Sequence, residues 1–455
     1  MQETHDTRPT RGSLILRVGV FVALALVVLT AAQATRWYKY RNQRVAATTL
    51  RIPSASDEAA ESRELIAFLE RRVRLDPGDS VAYAKLAALY LQRLRETGAL
   101  SDLGLALRAA HASLAIVPGV RNTDALSALA LAEFASHDFA DARRHAEMLT
   151  RLDDSGAPYA MLGDALSELG DYAAAERAYG EMKRRRGPGD ENVAIRAARM
   201  AVLYGDTASA ERSFSTALSL ELARSAPSRE RIAWFDWQRG DTAFFAGDDD
   251  AARTDYEAAL ASYPGYFKAL ASLGRLKAGR GDLPGAIDAY EAAVRTLPDP
   301  TFLAELGDVY ALAGRHVDAS KRYDLVEFIG RLGKLSGVLY NRQLAMYEAD
   351  HGRNAIRAYA EAKREFRARR DILGADALAW TALKAGKVSE AEEAMRSALR
   401  LGTLDPRLLY HAGMIDLARG QRQAARAYLQ RALALNPQFD PFQAVVARRA
   451  LASLR

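Results

Sequence analysis

From Arg63 to the carboxy terminus, apolar residues recur at helical spacing between stretches of Gly, Asp and Pro. No run there has the strict alternation and β-branched content of a strand. The pattern predicts helix after helix. One stretch stands apart: Leu14 to Ala34, LILRVGVFVALALVVLTAAQA, is apolar except at Arg17 and Gln33, and its main apolar run extends from Val18 to Ala34. That run falls at the lower edge of the ~17–25 residues of a spanning helix. Arg17 is placed to snorkel, and Trp37, Tyr38 and Tyr40 stand where an interfacial belt would lie. The same residues also read as a cleaved secretory signal, with Arg8, Arg11 and Arg17 as its basic region and Ala32-Gln33-Ala34 as its processing site. The belt-like aromatics favour a retained anchor. Basic residues flank both sides, Arg8, Arg11 and Arg17 before the run and Arg36, Lys39, Arg41 and Arg44 after it. The count leans slightly to a cytoplasmic body; the export-like layout of the segment leads us to expect an extracytoplasmic, periplasmic one.

Within the helical part, the step from Gly240 to Gly274 is repeated without change from Ala252 to Ala286, Tyr256 to Tyr290, Ala259 to Ala293, and Pro264 to Pro298. Five coincidences at one interval identify an internal repeat. A series of small residues extends it in both directions: Ala106, Ala142, Ala175, Ala210, Ala252, Ala286, Ala319, Ala355, Ala391 and Ala425, at nearly even spacing apart from one longer step between Ala210 and Ala252. An aromatic often follows one helical turn later, at Tyr179, Phe214, Tyr256, Tyr290, Tyr323 and Tyr359. Alanine lets two helices approach closely, and the ring one turn on fills the groove to the next unit. Leu162-Gly163, Leu273-Gly274 and Leu306-Gly307, with Tyr310, add a matching signature in the preceding helix.

In length and in these residues the unit resembles the tetratricopeptide repeat. The resemblance implies an all-α, right-handed α-solenoid of about ten helix–turn–helix units. The expected organisation is a tail over 1–13, a transmembrane helix or signal anchor over 14–34, a linker over 35–62, the solenoid over 63–440 and a capping helix over 441–455. Arg448, Arg449 and Arg455 would give that cap a polar outer face. Extra residues around Leu94 to Asp102 and around Leu222 to Arg231 leave the helix count there open.

Composition narrows the chemistry. With 49% apolar and 26% charged residues among 455, the chain is neither a disordered polyelectrolyte nor a multi-span membrane protein. The absence of Cys removes disulfides, thiolate metal sites and cysteine nucleophiles. A net charge of +6 is too mild at this length to point to nucleic acid. No phosphate-binding loop, dinucleotide fingerprint, serine elbow or zinc-protease helix occurs, so no catalytic residue, cofactor or metal site is assigned. His137 and His145, near Asp138 and Asp141, lie two helical turns apart, too far to share an ion on a straight helix. Arg-Gly-Asp triplets at 239–241 and 280–282 read as repeat and turn residues, and the basic runs Lys183 to Arg186 and Lys363 to Arg370 as solvated helix faces.

One patch is a candidate binding site. Trp234, Trp237, Asp241 and Phe244 fall at offsets of 3, 4 and 3 on one face of a first helix. The resemblance places that face in the concave groove, where two indoles and a phenyl beside a carboxylate could anchor a peptide or stack on a sugar. The alternative is a local satellite core. Chaperone-binding members of the family hold a peptide carboxylate with lysines and asparagines; here only Lys268 and Arg275 share such a face. The expected function is a non-enzymatic, membrane-anchored scaffold for protein partners, by resemblance serving a bacterial envelope complex. The alternative is a solenoid that binds carbohydrate or polymer in exopolysaccharide export.

Overall fold

The computed structural model describes residues 55–336 and 341–454. The chain divides into two units, Met1–Ile52 and Pro53–Arg455. The first lies outside the described residues, as do the expected tail, the 14–34 segment and most of the expected linker.

Among the described residues there are 22 α-helices. α1 (Ala55–Leu75) precedes ten helix pairs, and α22 (Gln443–Ser453) follows them. The pairs are α2 (Ser80–Thr97) with α3 (Leu100–Ile116), α4 (Thr123–Ala135) with α5 (Phe139–Leu149), α6 (Ala157–Glu168) with α7 (Tyr172–Arg186), and α8 (Glu191–Leu203) with α9 (Thr207–Leu222). They continue as α10 (Arg229–Phe245) with α11 (Asp249–Ser262), α12 (Phe267–Gly279) with α13 (Leu283–Thr296), and α14 (Pro300–Leu312) with α15 (His316–Ser336). The last three are α16 (Asn341–Asp350) with α17 (Ala355–Ala368), α18 (Ile372–Lys384) with α19 (Val388–Ala398), and α20 (Pro406–Ala418) with α21 (Arg422–Leu435). The extra residues near Leu94 lengthen α2 and α3, and those near Leu222 form the connection 223–228; neither adds a helix.

Two adjacent residues end one helix and begin the next. At Gly170-Asp171 and Gly247-Asp248 the glycine adopts φ of +82°, and the aspartate carboxylate accepts the amide hydrogen of Ala174 or Ala251. Beyond α3, where Leu103 takes that place, each second helix then sets a buried alanine one turn from its start, as at Ala142, Ala175, Ala252, Ala286 and Ala425. In α17 that residue is Ala358, fully buried, and not Ala355, which begins the helix. The register shift follows from α15, which runs for 21 residues where its counterparts in the two preceding units have 14.

The pairs coil until the array meets itself. The connection after α6 touches the one between α17 and α18, far along the sequence. The Arg370 amide donates to the Leu169 carbonyl at 3.3 Å, the Ile372 amide to the Tyr172 hydroxyl at 2.9 Å, and Arg369 pairs with Glu168. The next turn repeats this, Thr403 donating to the Leu203 carbonyl. In the turn after that, the Asn436 side-chain amide donates to the carbonyl of Phe244 at 2.6 Å. A seam therefore joins the first-to-second-helix turns of one gyre to the between-unit connections of the following gyre.

The expected membrane anchor does not hold. Among the described residues no helix is long and apolar enough to cross a membrane. The run from Val18 to Ala34, on which that expectation rested, lies outside the described residues. The transmembrane helix, the membrane as a partner and the periplasmic single-pass location drop out of the account, and the solenoid alone is carried forward.

Candidate functional site

The inner face is built by the first helices of the pairs. In four units the first helix carries a glycine against which a ring of the second helix lies. A Cβ added at Gly163, Gly240, Gly274 or Gly307 would come within 2.3 to 2.6 Å of the ring of Tyr179, Tyr256, Tyr290 or Tyr323. In three of these units the tyrosine hydroxyl donates to the aspartate after the glycine: Tyr179 to Asp164 at 2.9 Å, Tyr256 to Asp241 at 2.7 Å and Tyr323 to Asp308 at 2.7 Å. The next unit supplies a basic side chain to the same carboxylate, Arg196 to Asp164 at 2.6 Å, Arg275 to Asp241 at 3.0 Å and His351, just past the end of α16, to Asp308 at 2.7 Å. One carboxylate thus ties its own helix pair to the following one. At Asp164 burial alone would raise the pKa, but Arg196 and Arg199 outweigh it and hold the group below its ordinary value.

This network contains much of the aromatic patch. Phe244 is only 1% exposed and packs with Tyr256, Leu273 and Leu276. Asp241 is shared among Tyr256, Ser272 and Arg275. Trp237 donates its indole hydrogen to Ser272 at 3.0 Å, and the Lys268 ammonium lies 4.9 Å from its ring centre. Burial pulls the pKa of Lys268 below its ordinary value, against the attraction of Glu230, Asp241 and Asp299. Trp234 meets Phe214 and Phe235 edge-on. Both indoles are half-buried.

Farther along, the first helices α14, α16, α18 and α20 line one cavity of about 270 Å³ with Thr301, Glu305, Asp308, Gln343, Asp350, Asp376, Arg407 and His411 among its walls; Asp440 and Gln443 reach it from the last connection and α22. Gln443 donates to Asp350 at 2.9 Å, joining two distant parts of the sequence. Burial pushes the Glu305 carboxyl up to about 7, despite Arg275 and Arg407. The group is then protonated in the fold at pH values where the unfolded chain has already lost that proton, so stability falls as pH rises from about 4.5 through 7. Glu305→Gln should therefore match the parent near pH 4 and exceed it by roughly 3 kcal/mol near pH 8, read from urea midpoints.

The other sequence candidates stay apart. His145 bonds Glu133 at 2.7 Å, while His137 turns at φ +64° and stacks on Phe139. Among the described residues no group of three or more His, Cys, Asp or Glu could hold a metal ion. Gly240 lies inside α10, and Gly281-Asp282 forms the α12–α13 turn. Of the basic run at 183–186, Arg184 and Arg185 pair with Glu181 and Arg186 with Asp190. The acidic cavity was not foreseen. Its members Asp308, Asp350, Asp376 and Asp440 share no sequence interval, and only the coil of the array brings them together.

Two family models, each described as Tetratricopeptide repeat, match the chain, one at residues 238–299, 273–325 and 377–439 and the other at 157–181. The helix pairs over those residues match the tetratricopeptide repeat. Similar solved structures include a tetratricopeptide repeat protein from Parabacteroides merdae, 18% identical with a TM-score of 0.32, covering 58% of this chain and 98% of that one. MamA protein is 20% identical with a TM-score of 0.31 and coverages of 41% and 97%; the APC/C hetero-tetramer Cut9–Hcn1 is 12% identical with a TM-score of 0.32 and coverages of 87% and 94%. No curated protein matches. The family matches fall on the solenoid alone, and tetratricopeptide repeats are a class of non-catalytic scaffold.

Proposed function

We propose that the chain is a scaffold that binds protein partners along the inner face of its first helices. One observation carries this reading: first helices from four consecutive units direct polar side chains into a single cavity, and no group of three or more metal-ligating side chains occurs among the described residues there. Stacked helix pairs provide area along a continuous wall, which suits an extended polypeptide segment. The half-buried Trp234 and Trp237 belong to the same wall, two units before the cavity. The test is a photo-crosslinking amino acid placed at Gln343 or Thr301, inside the cavity, and at the exposed Glu257 of a second helix. Polypeptide adducts from the inner positions and none from Glu257 are expected. Equal adducts from all three, or from Glu257 alone, would remove the inner face from the reading.

A further inference from the structure

We infer that the cavity between α14, α16, α18 and α20 receives a lysine or arginine side chain of a basic peptide segment. This rests on the scaffold reading above and names the chemistry of its partner. Six carboxylates line the cavity, Glu305, Asp308, Asp350, Asp376, Asp405 and Asp440, against the two guanidiniums of Arg342 and Arg407. Arg342 is already engaged, by Asp371 at 2.7 Å and Glu365 at 3.0 Å, and Arg407 lies over the Phe245 ring at 5.7 Å. In three of the carboxylates the internal bonds fall on one oxygen. Asp308 Oδ1 accepts from Tyr323 and His351, Asp350 Oδ1 from Trp380 and Gln443, and Asp440 Oδ1 from the amides of Phe442 and Gln443.

An independent observation lies in the same wall. His411 is 1% exposed, its ring stacked on Trp380 with centres 4.1 Å apart, and its Nδ1 stands 2.8 Å from Asp376 Oδ1. Its Nε2 is buried with no hydrogen-bond partner. With Nδ1 engaged by Asp376, Nε2 is the ring nitrogen left for a group in the cavity. A buried polar atom without a partner is costly, so the wall is complete only with a partner opposite it. Burial raises the carboxyls of Asp350 and Asp440; at Asp440 the charges of Asp350 and Asp308 add to it, whereas at Asp350 the Trp380 hydrogen bond and nearby basic side chains act against it.

The carboxylates do not converge as a metal site would. Donors that fan out suit them better, as on a guanidinium or an ammonium. At about 270 Å³ the cavity is smaller than the ~300–1,000 Å³ of a small-molecule site and has the scale of a side chain.

The test uses the full chain and three labelled octapeptides, one alternating Gly with Lys and Arg, one with Gln and one with Glu, followed by fluorescence anisotropy. The basic peptide should bind and the other two should not. The triple variant Asp350→Asn, Asp376→Asn and Asp440→Asn keeps the size and the Oδ1 acceptor of each residue, and should bind the basic peptide at least about tenfold more weakly. Glu176→Gln, Glu257→Gln and Glu393→Gln remove the same charge from exposed second-helix positions and should leave binding unchanged. Asp376→Asn alone repeats the comparison should the triple variant not fold. Equal loss from the outer triple, or equal binding of the Gln peptide, would overturn the inference. Absent binding alongside inner-face crosslinks would overturn it too, yet leave the scaffold reading standing; absence of both would end both.

Discussion

Replacing Tyr256 with alanine should destabilise the middle of the solenoid by about 3–5 kcal/mol, the range for deleting a fully buried aromatic side chain. The ring is wholly inaccessible, lies against Gly240, and delivers its hydroxyl to Asp241. Burial and the Asp241 charge hold that hydroxyl well above the ordinary tyrosine pKa, so it remains a donor at any physiological pH. Tyr256→Phe separates the two contributions: it keeps the ring and should cost only about 1.5–3 kcal/mol, the worth of a hydrogen bond to a charged group. Gly240→Ala attacks the same contact from the other side, because its Cβ would stand 2.5 Å from the ring, and should cost about 1–3 kcal/mol. Stability in a repeat array is a sum of unit and neighbour contributions, so the losses should appear locally. Hydrogen exchange should quicken in α10 to α12, while α2 to α5 keep their protection. Uniform loss along the chain would contradict a nearest-neighbour array.

Substituting Gly170 and Gly247 together by alanine should part the seam. At each position a Cβ would meet backbone across the gyres, 2.2 Å from the Arg370 carbonyl oxygen and 2.1 Å from that of Leu435. A carbonyl in a packed connection cannot rotate away as a side chain can. The left-handed φ of +82° adds about 1–2 kcal/mol per alanine. The gyres should separate while the helices persist. The radius of gyration from small-angle scattering should rise with far-ultraviolet dichroism nearly unchanged, and an unchanged radius would refute the seam as described.

These two contacts differ in how far the sequence disclosed them. The residues of the first contact were legible, because Tyr256 and Gly240 recur one unit later at Tyr290 and Gly274; the ring was expected to fill the groove to the next unit, and instead lies on the glycine of its own helix pair. The glycine turns were legible as helix ends, yet nothing local marks which of them meet another gyre, since Gly281 is followed by aspartate just as Gly170, Gly205 and Gly247 are. Gly170, Gly205 and Gly247 touch backbone across the seam, whereas Gly281, Gly314, Gly386 and Gly420, with similar φ, have open space beside them. That difference depends on the summed rotation between units, a quantity no single unit encodes. The small-residue series lost register where α15 is longer, and Ala358 took the place of Ala355. At the candidate patch, the spacing placed Trp234, Trp237, Asp241 and Phe244 on one helix. Whether such residues face a groove or the next unit is decided by partners at 268–276, which helical periodicity cannot weigh. The acidic cavity was invisible for the same reason as the seam, since its walls come from four units and a connection that returns to them.

Closure of the solenoid on itself is the claim on which the inner face and its cavity depend. The absence of cysteine makes it directly measurable, because a pair of introduced cysteines takes two spin labels and no others. Val202 and Leu373 are both partly exposed and line one crevice of the seam, though they belong to α8 and α18, ten helices apart along the chain. Double electron–electron resonance between labels at these two positions should give one short, narrow distance that lengthens when Gly170 and Gly247 are replaced by alanine. A broad or long distribution in the parent chain would contradict the closed seam and, with it, the cavity.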